Sequence, residues 1–367
     1  MTEKRHQWAS NLGFILAAAG SAVGLGNIWK FPGKVGAYGG GAFLLCYLLI
    51  VFLVGFPVML AELSIGRATQ KNVVGAFRTL NSRWRFAGYI GIVILSYYCV
   101  VGGWVLKYVQ IYAAGAHFGA GPGAYADYFS TFSARPVEPL LWGLGFLVLC
   151  IVVVVRGVSQ GIEKVSKVLM PLLFLLLAGL VVYSVTRPGA GEGLRFLFGI
   201  DPARLSGDTL VGALGQAFFS LSVGMGIMVT YGSYVPKSEN LAKSAGWICA
   251  LDTLVAFLTE EFHLSRARAA IGLSVPMALL SAGYSLSQSA GRGINLPWFD
   301  FKNGLQMLPM NAVMEKFTDN LMIPLGALCF CLFVGWVWGT KAAGQDDAVY
   351  VGELLGAALL IQQSFAV

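Results

Sequence analysis

Apolar stretches long enough to cross a lipid bilayer alternate with short polar joints along most of the chain. A bilayer-spanning helix needs about 20 consecutive apolar residues. Eight stretches meet or approach this length, and they cover residues 12–36, 42–66, 87–113, 139–156, 165–186, 209–232, 269–288 and 319–339. The pattern predicts an all-α polytopic membrane protein in which residues 1–367 form a single membrane domain.

The first and the sixth stretch each carry a pair of glycines near the middle, in Val23-Gly24-Leu25-Gly26 and in Val223-Gly224-Met225-Gly226. Two glycines within three residues cost a helix about 2 kcal/mol relative to alanine. Unwound backbone at membrane depth is tolerated where it lines a cavity. We therefore predict helix breaks at 22–27 and 222–226, and paired breaks of this kind indicate the binding site of a secondary transporter.

The amino-acid composition supports a membrane protein independently of the pattern. Hydrophobic residues make up 57% of the chain, charged residues make up 12%, and the mean hydropathy is +0.71. A soluble domain carries about 25% charged residues. The six cysteines all fall in apolar segments, so we interpret them as buried hydrophobic residues rather than as disulfide partners or metal ligands.

The net charge of +7 lies mainly in the polar joints. Positive joints follow the second, fourth and sixth stretches, with Arg67, Lys71, Arg78, Arg83 and Arg85 in the first, Arg156, Lys164 and Lys167 in the next, and Lys237 and Lys243 in the last. Because positive joints face the cytoplasm, we predict a multi-pass protein of the cell (inner or plasma) membrane with a cytoplasmic N-terminus. This distribution suits the lipid bilayer as a partner better than a nucleic acid.

The residues around the two breaks can supply oxygen ligands to a hard cation such as sodium. Gly20, Ala22 and Val23 can offer backbone carbonyls, and Asn27 can offer a side-chain oxygen. Near the second break the candidates are the hydroxyls of Ser220 and Ser222 and the carboxylate of Asp252. An acid inside the membrane suggests a functional site, although Asp252 at the wet end of a helix and serines that bond between helices are the alternatives.

The hydroxyl of Tyr98, in the middle of the third stretch, needs a polar partner. That partner is either the carboxylate of a substrate or a neighbouring helix. The sequence contains no nucleophile, zinc or phosphate-loop constellation, and no strand precedes the Gly-x-Gly pairs. We therefore predict a protein that is not an enzyme and that uses no cofactor, with Na⁺ as the coupling ion.

Several of these segments together resemble the neurotransmitter:sodium symporters, in their prokaryotic branch. The segments that carry the resemblance are Gly20–Pro32, Gly39–Phe43, Gly55–Glu62, Gln216–Gly226 and Ser233-Tyr234. The resemblance implies an inverted-repeat, leucine-transporter-like fold with broken helices 1 and 6. It places the first five-helix repeat at 10–186 and the second at 208–340.

The resemblance also implies two sodium sites and an amino-acid site. The first sodium site would use Ala22, Asn27, Ser220 and Asp252. The second would take Gly20 and Val23 from the first helix. The substrate would contact Ala22, Leu25, Gly26, Ile94, Tyr98, Phe219, Ser220, Ser222 and Met225. Since Asp252 is the single acid in these sets, a neutral, hydrophobic amino acid is favoured over a cationic one. The gates would pair Arg5 with Glu260 inside and Lys30 with Glu315 outside, with Trp8 and Tyr234 packed near the inner gate.

The chain departs from the family after the sixth helix. About 15 residues, or roughly 22 Å of helix, separate Lys243 from Glu260-Glu261, against a bilayer core of about 30 Å. A segment like the end of the family's eighth helix follows directly on the start of the seventh, near 256–260, so about 70 residues are missing relative to the family's inverted-repeat plan. The fold should therefore be incomplete around helices 7–8, and around helix 11 because the apolar run in 341–367 is interrupted by Glu353.

Two consequences follow from this gap. We expect residues 243–262 to form one short helix or re-entrant segment that does not span, with an open cavity beside Gly20 and Val23. We also expect a chain that has the ancestry of a sodium-coupled amino-acid symporter but shows no sodium-driven uptake. The alternative is a non-transporting membrane remnant or a binding or scaffold protein, whereas a channel is disfavoured because no filter or charge ring is present.

Overall fold

The computed structural model describes residues 7–24, 26–114, 124–186, 189–259, 294–300, 304–317 and 322–333. Helices account for most of these residues. Three continuous helical stretches within them are long and apolar enough to cross a membrane: Gly41–Thr69, Glu138–Val155 and Gly161–Val185. All three coincide with stretches predicted from the hydropathy pattern, namely the second, the fourth and the fifth.

The described residues between Trp8 and Phe198 form ten α-helices, some joined end to end by tighter or wider turns. They are α1 (Asn11–Ala22), α2 (Phe31–Tyr38), α3 (Gly41–Ile50), α4 (Phe56–Thr69), α5 (Val73–Leu80), α6 (Ala87–Ala113), α7 (Ala124–Ala134), α8 (Glu138–Val155), α9 (Lys164–Val185) and α10 (Ala190–Phe198). Single π-helical turns occupy Gly26–Lys30, Val51–Gly55 and Val158–Glu163, and 3₁₀ turns occupy Ser82–Trp84 and Pro202–Arg204. Wide turns of this type are often found at functional sites.

From Gly207 onward, the described residues form five further helices and one hairpin. The helices are α11 (Gly207–Ser220), α12 (Ile227–Gly232), α13 (Leu241–Thr259), α14 (Met310–Lys316) and α15 (Ile323–Leu332). The strands β1 (Asn295–Asp300) and β2 (Gly304–Pro309) pair in antiparallel register, with Phe299 opposite Leu305. The sequence analysis predicted no element at 294–309, and Pro297 in the middle of β1 is a residue that sheets accept mainly on edge strands.

Both predicted helix breaks are present. The first helix stops at Ala22 and resumes as the π-helical turn from Gly26. The sixth stretch is helical to Ser220, turns through 221–226, and is helical again from Ile227. Gly224 and Gly226 adopt positive φ angles of 80° and 73°, a region open to glycine at little cost, so the glycine pair accounts directly for the second break.

The chain divides into two compact units. The first contains residues 1–91, 156–265 and 323–367, and the second contains residues 92–155 and 266–322. In the first unit α4 packs tightly against α12. The approach is so close that a Cβ atom added at Gly66 would overlap the carbonyl oxygen of Val229, and a Cβ atom added at Gly232 would overlap the carbonyl oxygen of Leu63. Two glycines thus let the backbones of these helices meet.

The region of the predicted gap is a single helix as far as it is described. α13 has 19 residues, or about 28 Å at 1.5 Å per residue, and begins two residues before the predicted segment 243–262. Residues 260–262 and the predicted span 269–288 lie outside the described residues. The expectation that this segment does not span the membrane therefore stays a prediction, as do the two repeats.

The prediction of an open cavity beside Gly20 and Val23 was wrong at Val23. The side chain of Val23 is 1% exposed and belongs to an apolar cluster with members from α1, α9 and α13. The buried members are Ala19, Val23, Met170, Leu173, Leu177 and Val255. The cavity is absent there because α13 is long enough to bring Val255 against the first break.

Candidate functional site

Three polar side chains that are distant in sequence meet at the first break in the interior of the first unit. Asn27, Ser220 and Asp252 each have no exposed surface. The amide nitrogen Nδ2 of Asn27 donates to the Asp252 carboxylate Oδ1 at 2.8 Å and to the Asp252 carbonyl at 2.9 Å. The Ser220 hydroxyl lies 2.7 Å from Asn27 Oδ1 and 2.9 Å from Asp252 Oδ2.

Tyr47 on α3 completes this cluster, although the sequence reasoning gave it no role. Its hydroxyl lies 3.2 Å from Ser220 Oγ and 3.2 Å from Asp252 Oδ2, and the side chain is fully buried. A tyrosine in an apolar stretch is normally interpreted as packing. The signal that could have found it is the need of a buried hydroxyl for a polar partner.

This cluster concentrates oxygen atoms and one negative charge in a buried space. A buried carboxylate is costly unless a cation or several hydrogen bonds compensate it. Asn27 Oδ1, Ser220 Oγ and the two carboxylate oxygens are hard ligands, so their chemistry fits a small hard cation better than a soft metal. Ala22, which was predicted to add a carbonyl, is 2% exposed at the end of α1.

The second break is held by a buried acid from α4. Glu62 has no exposed surface, and its Oε1 accepts a hydrogen bond from the Gly224 amide at 2.6 Å. Unwound backbone leaves amides without helical partners, and the carboxylate supplies one. Glu62 therefore satisfies the unwound backbone of the second break.

Further side chains connect the two broken helices directly. Ser222, whose φ of 55° is unusual for a residue other than glycine, donates from its hydroxyl to the carbonyl of Ser21 at 2.9 Å. Gln216 donates from Nε2 to the carbonyl of Gly26 at 2.8 Å. Gln216 was missed as a site residue, although it lies one helical turn before Ser220 and so shares its face.

The apolar residues predicted to contact substrate lie beside this network. Phe219 and Met225 are each 3% exposed, and Gly26 is buried. The Nζ atom of Lys30 lies 4.0 Å from the centre of the Phe219 ring, within the range of a cation–π interaction. Leu25 lies outside the described residues.

The predicted gate residues are described only in part. Trp8 packs edge-on against Tyr234 with ring centres 6.3 Å apart. It also stacks on Tyr231 at 5.6 Å and donates from Nε1 to the Tyr231 carbonyl at 3.2 Å. Arg5 and Glu260 lie outside the described residues, and the side chain of Glu315 is likewise not described.

Two predicted substrate residues belong to the second unit. Ile94 on α6 has no exposed surface, and Tyr98 on the same helix is half-buried. Their part in a substrate site stays a prediction. Of the second predicted sodium pair, Gly20 is half-buried, and a Cβ atom at that position would lie 3.1 Å from the Met170 sulfur.

Comparison with known proteins places this architecture in a class of multi-pass membrane transporters. The sequence model of the Sodium:neurotransmitter symporter family matches residues 5–114 and 139–327. The chain belongs to that family, as the resemblance predicted, and sodium is the coupling ion of that family. Members of the family are transporters rather than enzymes, as was also predicted.

Individual relatives agree with this assignment. A sodium-dependent transporter of Bacillus subtilis, YhdH, is 41% identical over 288 residues, which cover 77% of this chain and 61% of the relative. The sodium-dependent transporter MJ1319 of Methanocaldococcus jannaschii is 34% identical over 324 residues, which cover 83% of this chain and 63% of the relative. The chain thus spans about three fifths of the length of these relatives, which is consistent with an internal deletion.

A solved structure confirms the fold class. The crystal structure of MhsT in complex with L-phenylalanine matches with a TM-score of 0.83 and 34% sequence identity, over 98% of this chain and 99% of the MhsT chain. The leucine-transporter-like fold with two broken helices is therefore shown.

Proposed function

We propose that this protein binds a sodium ion between its two helix breaks and couples that ion to the recognition of a neutral, hydrophobic amino acid, as a symporter does. The observation that carries the proposal is the buried contact of Asn27, Ser220 and Asp252. Three segments far apart in sequence converge there with hard oxygen atoms and a single negative charge. A monovalent cation would replace the hydrogen bonds that now compensate the Asp252 carboxylate.

The chemistry of the neighbouring residues supports an uncharged hydrophobic side chain on the substrate. Phe219 and Met225 are buried and apolar, and Asp252 is committed to the sodium cluster. The MhsT structure contains L-phenylalanine, which has this chemistry. In this proposal the substrate ammonium lies near Ala22 and Ser222, whereas its carboxylate lies near Leu25, Gly26 and Tyr98.

Orientation in the membrane is part of the same proposal. Arg78, Arg83 and Arg85 are exposed on the joint that precedes α6, and such joints face the cytoplasm. We place the N-terminus on that side of the cell membrane. Labelling of an engineered cysteine at exposed Ser82 by a membrane-impermeant reagent, from outside intact cells, would contradict this orientation.

Equilibrium binding tests the proposal. The purified chain in lipid nanodiscs should bind radiolabelled L-phenylalanine in sodium buffer and lose that binding in potassium buffer at equal ionic strength. Unlabelled L-leucine should compete, and L-lysine should not. Binding that is equal in both buffers would overturn the coupling to sodium.

A second candidate function is binding without transport, and a specific observation favours it. The second sodium pair, Gly20 and Val23, has apolar neighbours on α9 and α13, including Met170 and Val255. Two backbone carbonyls in such surroundings cannot replace the hydration shell of sodium. The chain would then act as a sodium-linked amino-acid binding protein or as a scaffold in the membrane.

A further inference from the structure

A buried carboxylate on the joint between α8 and α9 holds the beginning of α1. Glu163 ends the π-helical turn at 158–163, and its side chain is 1% exposed. Its Oε2 atom accepts a hydrogen bond from the Ala9 amide at 2.8 Å. Its Oε1 atom accepts one from the Ser10 hydroxyl at 3.1 Å and pairs with the Lys167 ammonium at 2.7 Å.

The first helix is built to receive this acid. Ser10 is the N-cap of α1, and its hydroxyl oxygen accepts from the Gly13 amide. The first turn of α1 has no acidic residue of its own, although negative charge stabilises a helix N-terminus. Glu163 supplies that charge from another helix. Gly13 allows the close approach, because a Cβ atom there would overlap the Glu163 carboxylate.

The segment that Glu163 holds has a second anchor on the other broken helix. The Trp8 amide donates to the carbonyl of Tyr234 at 3.3 Å, and the Trp8 ring stacks on Tyr231. Residues 8–10 therefore connect Glu163, which directly precedes α9, with Tyr231 and Tyr234 at the end of α12. Loosening either anchor frees the end of α1 that lies away from the break.

We propose that Glu163 is a positioning residue and that its hydrogen bonds to residues 8–10 form a latch. The N-terminal end of α1 moves away from the π-helical turn at 158–163 only when these hydrogen bonds to the Glu163 carboxylate break. This role rests on the proposed function, since it acts by selecting the state that binds sodium at the far end of the same helix. The carbonyl of Ala22, a predicted ligand of the first sodium site, stands at the end of α1, so opening of α1 moves this ligand away from the cluster of Asn27, Ser220 and Asp252. Loss of the latch therefore lowers the apparent sodium affinity through a population shift rather than through a lost ligand.

Hydrogen–deuterium exchange of the full chain in nanodiscs tests the latch without reference to transport. In sodium-free buffer, Glu163→Ala should speed exchange of the amides in residues 8–13 about tenfold or more, because a hydrogen bond to a charged group is lost. Glu163→Gln keeps an acceptor for the Ala9 amide and should give a smaller increase. Glu192→Gln, which makes the same change at an exposed site on α10, should have no effect.

The extent of the effect separates a latch from general support of the fold. Exchange in α8 should remain at the wild-type rate in both Glu163 variants, and acceleration that extends to α8 would overturn the proposal. A sodium titration followed by the exchange rate of residues 8–13 should then show about tenfold weaker apparent affinity in Glu163→Ala. A loosened segment with unchanged sodium affinity would also overturn it, whereas a wild-type chain that binds no sodium would refute the proposed function instead.

Discussion

The amide of Asn27 and the carboxylate of Asp252 lie 2.8 Å apart although 225 residues separate them in the chain. This contact joins the turn after the first break to α13, the helix near whose end the sequence predicts a gap. Asp252, which lies just before the expected gap, is therefore folded onto the site. Sodium binding at the first site and transport by the whole protein can thus be tested separately.

Replacement of Asn27 by alanine should weaken sodium binding by about tenfold or more. The variant loses one buried oxygen ligand and the hydrogen bond that the Asn27 amide donates to the Asp252 carboxylate, and a lost hydrogen bond to a charged group is worth about 1.5–3 kcal/mol. Isothermal titration with sodium chloride measures the affinity. Asn295→Ala on exposed β1 is the matched control, and equal affinities in the two variants would remove Asn27 from the site.

Replacement of Asp252 by asparagine should make sodium binding depend on chloride. The wild-type carboxylate provides the negative charge that offsets the cation in a buried space, so the wild-type chain should titrate alike in chloride and in gluconate. The variant keeps the oxygen and loses the charge, and its affinity should be lower in gluconate. Asp201→Asn, at an exposed turn, controls for the change of net charge, and no anion effect in Asp252→Asn would contradict the assignment.

Most of the helices followed from hydropathy alone, because a membrane helix must satisfy its own backbone. The breaks followed from the glycine pairs. The polar contacts that build the site did not, since the partners of Asn27 lie in other helices and periodicity carries no information on which helices meet. Glu163 was overlooked because it stands beside Lys164 and Lys167 in a basic joint, where a charge is normally solvated. Its burial is a property of the fold.

A methyl group at residue 66 should destabilise the first unit. Gly66→Ala forces α4 and α12 apart, because the added carbon overlaps the Val229 carbonyl, and overpacking of this kind costs about 1–3 kcal/mol. Gly246→Ala on α13 has no atom within 4 Å of the added carbon, so it should be neutral or stabilising by up to about 1 kcal/mol. Thermal unfolding in detergent compares the two, and similar melting temperatures would show that α4 and α12 do not meet this closely.

The 367-residue chain should bind its amino acid and yet fail to accumulate it. Sodium-driven transport needs the inward-directed gradient to be coupled to a complete set of ion ligands. Within the part of the chain that the structure describes, the second predicted site consists of the carbonyls of Gly20 and Val23. Apolar side chains from α9 and α13 surround Val23. The packing of Val255 against this position also limits the room for hydrating water. Binding at the first site depends on Asn27, Ser220 and Asp252, and these three side chains are already in contact.

Proteoliposomes with an imposed sodium gradient test this separation of binding from transport. Uptake of radiolabelled L-phenylalanine should equal that of vesicles treated with gramicidin, which abolishes the gradient, while nanodiscs of the same preparation bind the ligand in sodium buffer. Asn27→Ala should lose binding as well, which identifies the bound pool with the first site. Gradient-dependent accumulation by the wild-type chain would refute transport inactivity and would leave the family assignment intact. It would show that the two carbonyls of Gly20 and Val23 suffice for the second site or that Val255 moves aside.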